Sequence, residues 1–188
     1  MADFAAARLN MVESQVRTQD VTDVRLQDAM RELPREQFVP EGKGYLAYAD
    51  LEVEYAPGRW LLKPRDVAKL LQEARPMPAE RALAVAAPYA AAVLEVLDLG
   101  VTRLDEDLKQ APAGEFDLII CEGAVSRAPQ SWLDALALEG RLAVIERNGP
   151  VGKAVLYVRG ADGIGRRELF DATPPVLAGF EAERGFAF

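Results

Sequence analysis

The sequence contains no histidine and a single cysteine. Without an imidazole there is no Ser-His-Asp triad, no Cys-His pair and no histidine metal site. One cysteine supports neither a disulfide framework nor a thiolate zinc site, so no metal is expected. Cys121 sits inside the apolar run FDLIICEG and reads as a buried, inert thiol. So little cysteine fits a cytoplasmic chain. No run of ~18 apolar residues is present, so no membrane span is expected. The start, MADFAAARLNMVES, carries acids early and lacks an apolar signal core. Basic residues are outnumbered, 22 to 30, for a net charge of −8. Such a surface repels a phosphate backbone, which argues against a nucleic-acid partner. Glycine is also missing from Arg59 through Leu99.

What is present suits a folded domain: 188 residues, half of them hydrophobic. The stretch Arg81 to Leu108 has the outline of a strand–turn–helix–strand unit of a nucleotide-binding α/β sheet. Ala82 to Ala86 reads as the strand, Ala87 to Tyr89 as the turn and Ala90 to Leu97 as the helix. Val101 to Leu104 reads as a second strand, ending at Asp105. A cofactor-binding turn of this kind needs glycines for φ > 0 and close backbone approach. This one has none. Pro88 also fits an ordinary connection, with proline at the first helical position.

Before that unit, residues 3–19 read as a helix whose stripe is Phe4, Met11 or Val12, and Val16. Thr22 reads as the N-cap of a helix from Asp23 to Leu33, closed by Pro34. Leu51, Val53 and Tyr55 alternate with acids, the pattern of a half-buried strand. Pro64 opens a helix to about Ala74, burying Val67, Leu70 and Leu71. The run RPMPAE then forms a joint, dividing the chain into an N-terminal helical, substrate-side region (1–78) and an α/β region (79–188) of one compact domain. Phe116 to Cys121 has the unbroken apolar pattern of a strand buried on both faces. Pro129 to Leu138 reads as a helix burying Trp132, Leu133, Leu136 and Leu138, and Arg141 to Ile145 as a strand. Lys153 to Val158 and Arg166 to Phe170 flank the hairpin signal GADGIG. Phe180, Phe186 and Phe188 are expected to pack over the sheet. The fold expected is a mixed α/β sheet covered on both faces, with an antiparallel C-terminal hairpin.

Several motifs, in order and spacing, resemble one family. They are Met11-Val12-Glu13-Ser14-Gln15-Val16-Arg17, Asp23, Ala29-Met30, Pro34-Arg35-Glu36-Gln37-Phe38-Val39-Pro40 and Ala47-Tyr48-Ala49-Asp50. Together they look like the opening of protein-L-isoaspartate O-methyltransferases. A looser likeness continues through Phe116-Asp117-Leu118-Ile119-Ile120, Ala128-Pro129 and Glu139-Gly140-Arg141-Leu142. The resemblance implies a class I methyltransferase-like, Rossmann-type fold. It also implies S-adenosylmethionine-dependent methylation of the carboxylate left by asparagine and aspartate damage. That chemistry needs no imidazole, because an ionised carboxylate is already the nucleophile and the protein supplies position.

Three departures from the family pattern stand out. Its glycine-rich cofactor turn is here Ala86-Ala87-Pro88-Tyr89, where an alanine held at φ > 0 costs roughly 1–2 kcal/mol and Pro88 removes an amide donor. Only the eleven residues Asp105 to Glu115 separate the second strand from Phe116. A crossover of about a dozen residues is needed between parallel strands, so the family's edge strand and adenine-side wall are expected to be missing. Leu62 stands where the family's substrate loop has a serine. Asp105 is in the position of a ribose-binding acid, and Asp105-Glu106-Asp107 equally reads as a solvated helix start. Tyr48 and Asp50 match the acceptor-side motif, and packing and capping explain them as well. Ala86, Ala87, Tyr89 and Asp105 are therefore the candidate remnants of a cofactor site, and Tyr48, Asp50 and Leu62 the candidate substrate side. No catalytic residue is assigned. The expectation is a pseudo-methyltransferase that binds no cofactor and works through a protein partner or self-association as a dimer. The alternative is an active S-adenosylmethionine-dependent carboxyl methyltransferase that repairs isoaspartyl residues.

Overall fold

The computed structural model describes residues 3–182. Phe186 and Phe188 lie outside the described residues. The N-terminal helix α1 (Phe4–Met11) starts at Asp3, whose carboxylate accepts from the Ala6 amide at 3.0 Å. It runs on through a π turn (Val12–Val16) and a 3₁₀ turn (Arg17–Gln19). Helix α2 (Val24–Glu32) follows, capped by Asp23 and not by Thr22. The Asp23 carboxylate reaches the Arg25 amide at 2.9 Å, while the Thr22 amide is taken by Gln72 at 2.6 Å. That long-range contact, invisible to local pattern, displaced the cap by one residue.

Strand β1 (Val53–Ala56) pairs with β2 (Arg59–Leu61) in a small hairpin that period-2 reading misses, because three residues carry too little pattern. Helix α3 (Pro64–Ala74) has the expected bounds. Pro64 stands at its first position and Val67, Leu70 and Leu71 are fully buried. Its terminal carbonyls are claimed by Arg141, which donates to Ala74 O at 2.9 Å and Arg75 O at 2.8 Å. The same guanidinium pairs with Glu80 at 2.7 Å. One long side chain from the sheet thus closes the helix end.

The main sheet contains β3 (Arg81–Val85), β4 (Gly100–Leu104), β5 (Phe116–Val125), β6 (Leu136–Glu146), β7 (Gly152–Gly160) and β8 (Gly163–Ala172). Their spatial order is β4-β3-β5-β6-β7-β8. The first four neighbours pair in parallel, and β7 and β8 complete the sheet antiparallel. Helix α4 (Pro88–Val96) crosses over between β3 and β4. The residues from 105 to 115 add no strand, so β4 forms the sheet edge. The order in which strands are added reverses at β3, with β4 on one side and β5 on the other. That is the topological switch point where open α/β sheets hold ligands, beyond the carboxyl ends of the strands.

Alternation along the strands divides the core in two. Ala82, Ala84, Leu118, Ile120, Ala143 and Ile145 face α3, α4 and the N-terminal helices. Leu83, Val85, Ile119, Cys121, Leu142 and Val144 face Trp132, Leu177 and Phe180. The N-terminal region therefore shares a core with the sheet. Phe180 packs over the sheet as expected, 5.6 Å from the Trp132 ring. Helix α5 (Gln130–Asp134) is shorter than the sequence pattern implies. Leu136 already begins β6, and Leu138 is 65% exposed, not buried. The β5–β6 register jumps from Phe116↔Leu136 to Leu118↔Arg141, looping out the residues between, with Glu139 at φ 64°. Leu138 rides on that bulge.

A second irregularity shapes the functional end of the sheet. On β5 the register jumps from Ile120↔Ala143 to Ala124↔Ile145, so Cys121, Glu122 and Gly123 oppose a single residue of β6. Bulges of this kind re-aim side chains. Gly123 makes it feasible, at φ +115° with its would-be Cβ 2.7 Å from Leu177 Cδ2. Gly123→Ala therefore should destabilise the fold by about 2–4 kcal/mol in urea unfolding. Adding Leu177→Ala should relieve the steric part and leave the backbone part.

Candidate functional site

The turn between β3 and α4 has the shape the sequence pattern called for, without the residue type. Ala86 adopts φ 45°, the left-handed region that glycine occupies freely. Its amide donates to Leu104 O at 3.0 Å, tying the turn to β4. Its carbonyl accepts from the Tyr55 hydroxyl at 3.0 Å, tying the turn to β1. Pro88 occupies the first helical position of α4. The proline thus opens an ordinary helix, and Ala86 holds the positive φ that a glycine would take freely.

What lies over the turn is protein. Ala86, Ala87 and Tyr89 are 0%, 2% and 0% exposed, and Leu62 is 0% exposed. The Tyr89 ring packs edge-on to Phe38 at 5.5 Å and beneath the Arg35 guanidinium, 4.4 Å from the centroid. Arg35 is fully buried. Its Nε donates to Ala47 O at 2.8 Å and its Nη2 to Leu62 O at 2.5 Å. One buried cation thus joins the acceptor-side segment, the Leu62 loop and the turn.

Glu122 is the other charged group here, and it too is fully buried. The β5 bulge aims it at the N-terminus of α4, where Tyr89 N donates to Oε2 at 3.3 Å. Burial, the largest influence, opposes its charge, while the Arg35 guanidinium and the amides of Ala90, Tyr89 and Leu62 favour it. Desolvation outweighs them and pushes the carboxyl up to about 7. Arg35 and Glu122 are the residues that pattern reading overlooked. The available signal was a lone acid breaking the apolar strand FDLIICEGAV, and an arginine between Pro34 and Phe38.

The remaining candidates lie apart from this cluster. Asp105 is more than half exposed; Arg59 donates to its main-chain carbonyl and lies 3.9 Å from its carboxylate. Asp50 is half-exposed and lies 3.6 Å from Arg65. The Tyr48 hydroxyl donates to Glu36, and its carbonyl accepts from Gln15 at 2.8 Å. Tyr48 and Asp50 thus have packing and ion-pair partners of their own. A cavity of about 810 Å³ opens beside Leu104, between Arg59, Asp107, Lys109, Ala178 and Phe180. Ala86, Ala87, Tyr89 and Asp105 are not among its walls. Among the described residues no cluster of three potential metal ligands occurs, and no helix is long and apolar enough to cross a membrane.

Known proteins place this architecture. Protein-L-isoaspartate O-methyltransferase of Methylorubrum extorquens is 32% identical over 197 aligned positions, covering 89% of this chain and 86% of its own length. The chain belongs to the protein-L-isoaspartate O-methyltransferase family. The namesake from Methylorubrum populi is 30% identical and covers 94% of this chain and 98% of its own length. No family model matches the chain. Among solved structures, a Plasmodium falciparum protein described as a protein-L-isoaspartate O-methyltransferase superimposes with a TM-score of 0.75. It shares 16% identity, covering 90% of this chain and 97% of its own. That structure holds S-adenosyl-L-homocysteine. The likeness establishes the class I methyltransferase fold.

The position of Glu122 carries a pH signature. Between about 4.5, its ordinary value, and about 7, the native state binds a proton that the unfolded chain has released. Stability therefore falls as pH rises through that window, by at most ~3 kcal/mol, and levels off above it. Tyr55, Tyr89 and Cys121, which act on the group, are all pushed upward by burial and stay protonated in that range. Asp66, raised by burial, adds a contribution of the same sign; Asp23 and Glu146, which are lowered, oppose it. The difference in urea-unfolding free energy between wild type and Glu122→Gln isolates the effect. That difference should slope downward from pH 4.5 to 7; a flat line would remove Glu122 from the account.

Proposed function

We propose that this member of the protein-L-isoaspartate O-methyltransferase family is a pseudo-methyltransferase that has lost its S-adenosylmethionine site and acts by protein–protein interaction. The observation that carries the reading is burial above the turn. Ala86, Ala87, Tyr89 and Leu62 are covered by Arg35 and its neighbours, so no main chain is open to an adenosyl group there. Two further features support it. The chain from 105 to 115 supplies no strand to wall an adenine pocket. The acid in the ribose position, Asp105, is not among the cavity walls and lies 3.9 Å from Arg59, which is. β4 is left as the sheet edge, and an exposed edge favours pairing with another chain or a second copy.

A second reading, an active carboxyl methyltransferase that repairs isoaspartyl residues, draws on one specific observation. The backbone of the turn keeps its left-handed residue at Ala86, and a cavity of about 810 Å³ lies nearby at the end of β4. Titration calorimetry separates the two: the purified chain should give no heat with S-adenosylmethionine or S-adenosylhomocysteine, and micromolar binding would end the first reading. Methyl transfer to an isoaspartyl peptide should likewise be absent. Light scattering at tens of micromolar should report a species heavier than 20.6 kDa; a monomer would count against self-association.

A further inference from the structure

The main sheet ends in two edges that differ in their defences. An exposed edge strand offers unpaired amides and carbonyls to any second strand, and charge, bulges and proline are the usual guards. At the β8 edge such guards are present. Arg166, Arg167, Glu168 and Asp171 lie along it, and its pairing with β7 shifts register between Lys153 and Val155. β4 has little of this. Its residues, Gly100–Leu104, pair with β3 without a break and include no proline. Their one charged side chain, Arg103, is drawn back toward α4. There it donates to both Glu95 carboxylate oxygens, at 2.8 and 2.9 Å, and to Pro88 O at 3.4 Å.

Which groups the β4 edge presents follows from its ladder. Gly100 N donates to Glu80 O at 2.9 Å, and Leu104 O accepts from Ala86 N at 3.0 Å. In a parallel pair the bonds of one strand to its neighbour fall on alternate residues. Gly100, Thr102 and Leu104 therefore bond to β3, while Val101 and Arg103 turn N–H and C=O away from it. The open run is bounded on both sides. Leu99 N donates to Leu94 O at 3.1 Å, and Asp105 O accepts from Arg59. Among the described residues nothing bonds the main chain of Val101 or Arg103 on that side.

This edge is complementary to itself. Directly opposed residues of an antiparallel pair exchange both N–H···O bonds at every second position. A two-fold axis through Thr102 sets Val101 of one copy against Arg103 of the other, twice, and satisfies every open group. The two Thr102 side chains then meet at the closer, non-hydrogen-bonded position, a favourable cross-strand pair. The neighbouring registers do worse. An axis at Val101 sets Arg103 against Leu99, whose amide is occupied. An axis at Arg103 opposes like charges and sets Val101 against Asp105, whose carbonyl is occupied.

We propose that two copies of this chain pair through β4, antiparallel about a two-fold axis at Thr102, joining their sheets into one continuous sheet. The inference deepens the self-association named above and rests on it. Calorimetry with S-adenosylmethionine reads the cofactor site, and light scattering reads whether a dimer exists. Neither reads which surface pairs. A dimer whose β4 variants give the reverse of the outcomes below would overturn this inference alone.

Thr102→Cys places two thiols at the axis, with Cα atoms about 4.5 Å apart and within disulfide reach. The native Cys121 is fully buried and adds no background. The measurement uses tens of micromolar chain at physiological salt, where the net charge of −8 on each copy is screened. With copper phenanthroline as oxidant, Thr102→Cys should give at least ~5-fold more disulfide-linked dimer than Arg103→Cys, whose Cα atoms would lie about 8 Å apart in this register. Equal yields would overturn the proposal. Arg103→Pro removes an outward amide and leaves the ladder to β3 intact. It should weaken the dimer at least ~10-fold in sedimentation, through two lost bonds across the axis, whereas Arg103→Ala keeps the amide and should stay within about 2-fold of wild type. Equal effects of these two variants, or a wild type that sediments as a monomer, would also overturn it.

Discussion

The architecture depends on a buried guanidinium and a buried carboxyl group that form no direct ion pair. Arg35 and Glu122 are both fully buried, and each is held mainly by main-chain groups. Arg35 donates to the carbonyls of Ala47 and Leu62; Glu122 accepts from the Tyr89 amide at the start of α4. Removing Arg35 leaves the carbonyls of Ala47 and Leu62 without their donor, and removing Glu122 leaves the Tyr89 amide without its acceptor, the costly way to break a buried contact. The pair is also the joint between the N-terminal region and the sheet. It makes the covering of the switch point a structural requirement of this chain.

That requirement explains how the fold of a methyltransferase coexists with a switch point covered by side chains. Backbone shape at the turn is retained by tertiary bonds from Leu104 and Tyr55, strong enough to hold Ala86 in a region it disfavours. Side chains fill what glycines would have left bare. The bulge on β5, permitted by Gly123, turns an acid inward at the strand end where a parallel sheet normally opens to ligand. The fold and the switch point rest on different features: the first on apolar alternation across two core faces, the second on a few groups at one strand end.

Much of the fold was legible because its signals are local and periodic. Pro64 and the spacing of Val67, Leu70 and Leu71 define α3, and the apolar run from Phe116 defines β5. Misreadings fall where a distant partner overrides local pattern. Gln72 takes the Thr22 amide and leaves Asp23 as the cap. The bulge at Glu139 cuts short the helix that Trp132 and Leu133 suggest and turns Leu138 to solvent. The candidate site was half legible: the glycine-poor turn was conspicuous, but the groups that fill it were not.

The sequence by itself determined the family, the alternating elements, the missing strand between Asp105 and Glu115 and the absence of imidazole chemistry. The elements and the lack of imidazole follow from residue content and periodicity, and the family and the missing strand from the resemblance of those residues to known members. Only the tertiary structure decided that Tyr89 and Leu62 are buried, that Asp105 faces an arginine, and that Glu122 meets the amides of α4. Those facts join residues separated by tens of positions, Glu122 to Tyr89 and Arg35 to Leu62. Which distant groups meet is set by how the sheet and the N-terminal helices pack, and no local periodicity encodes it.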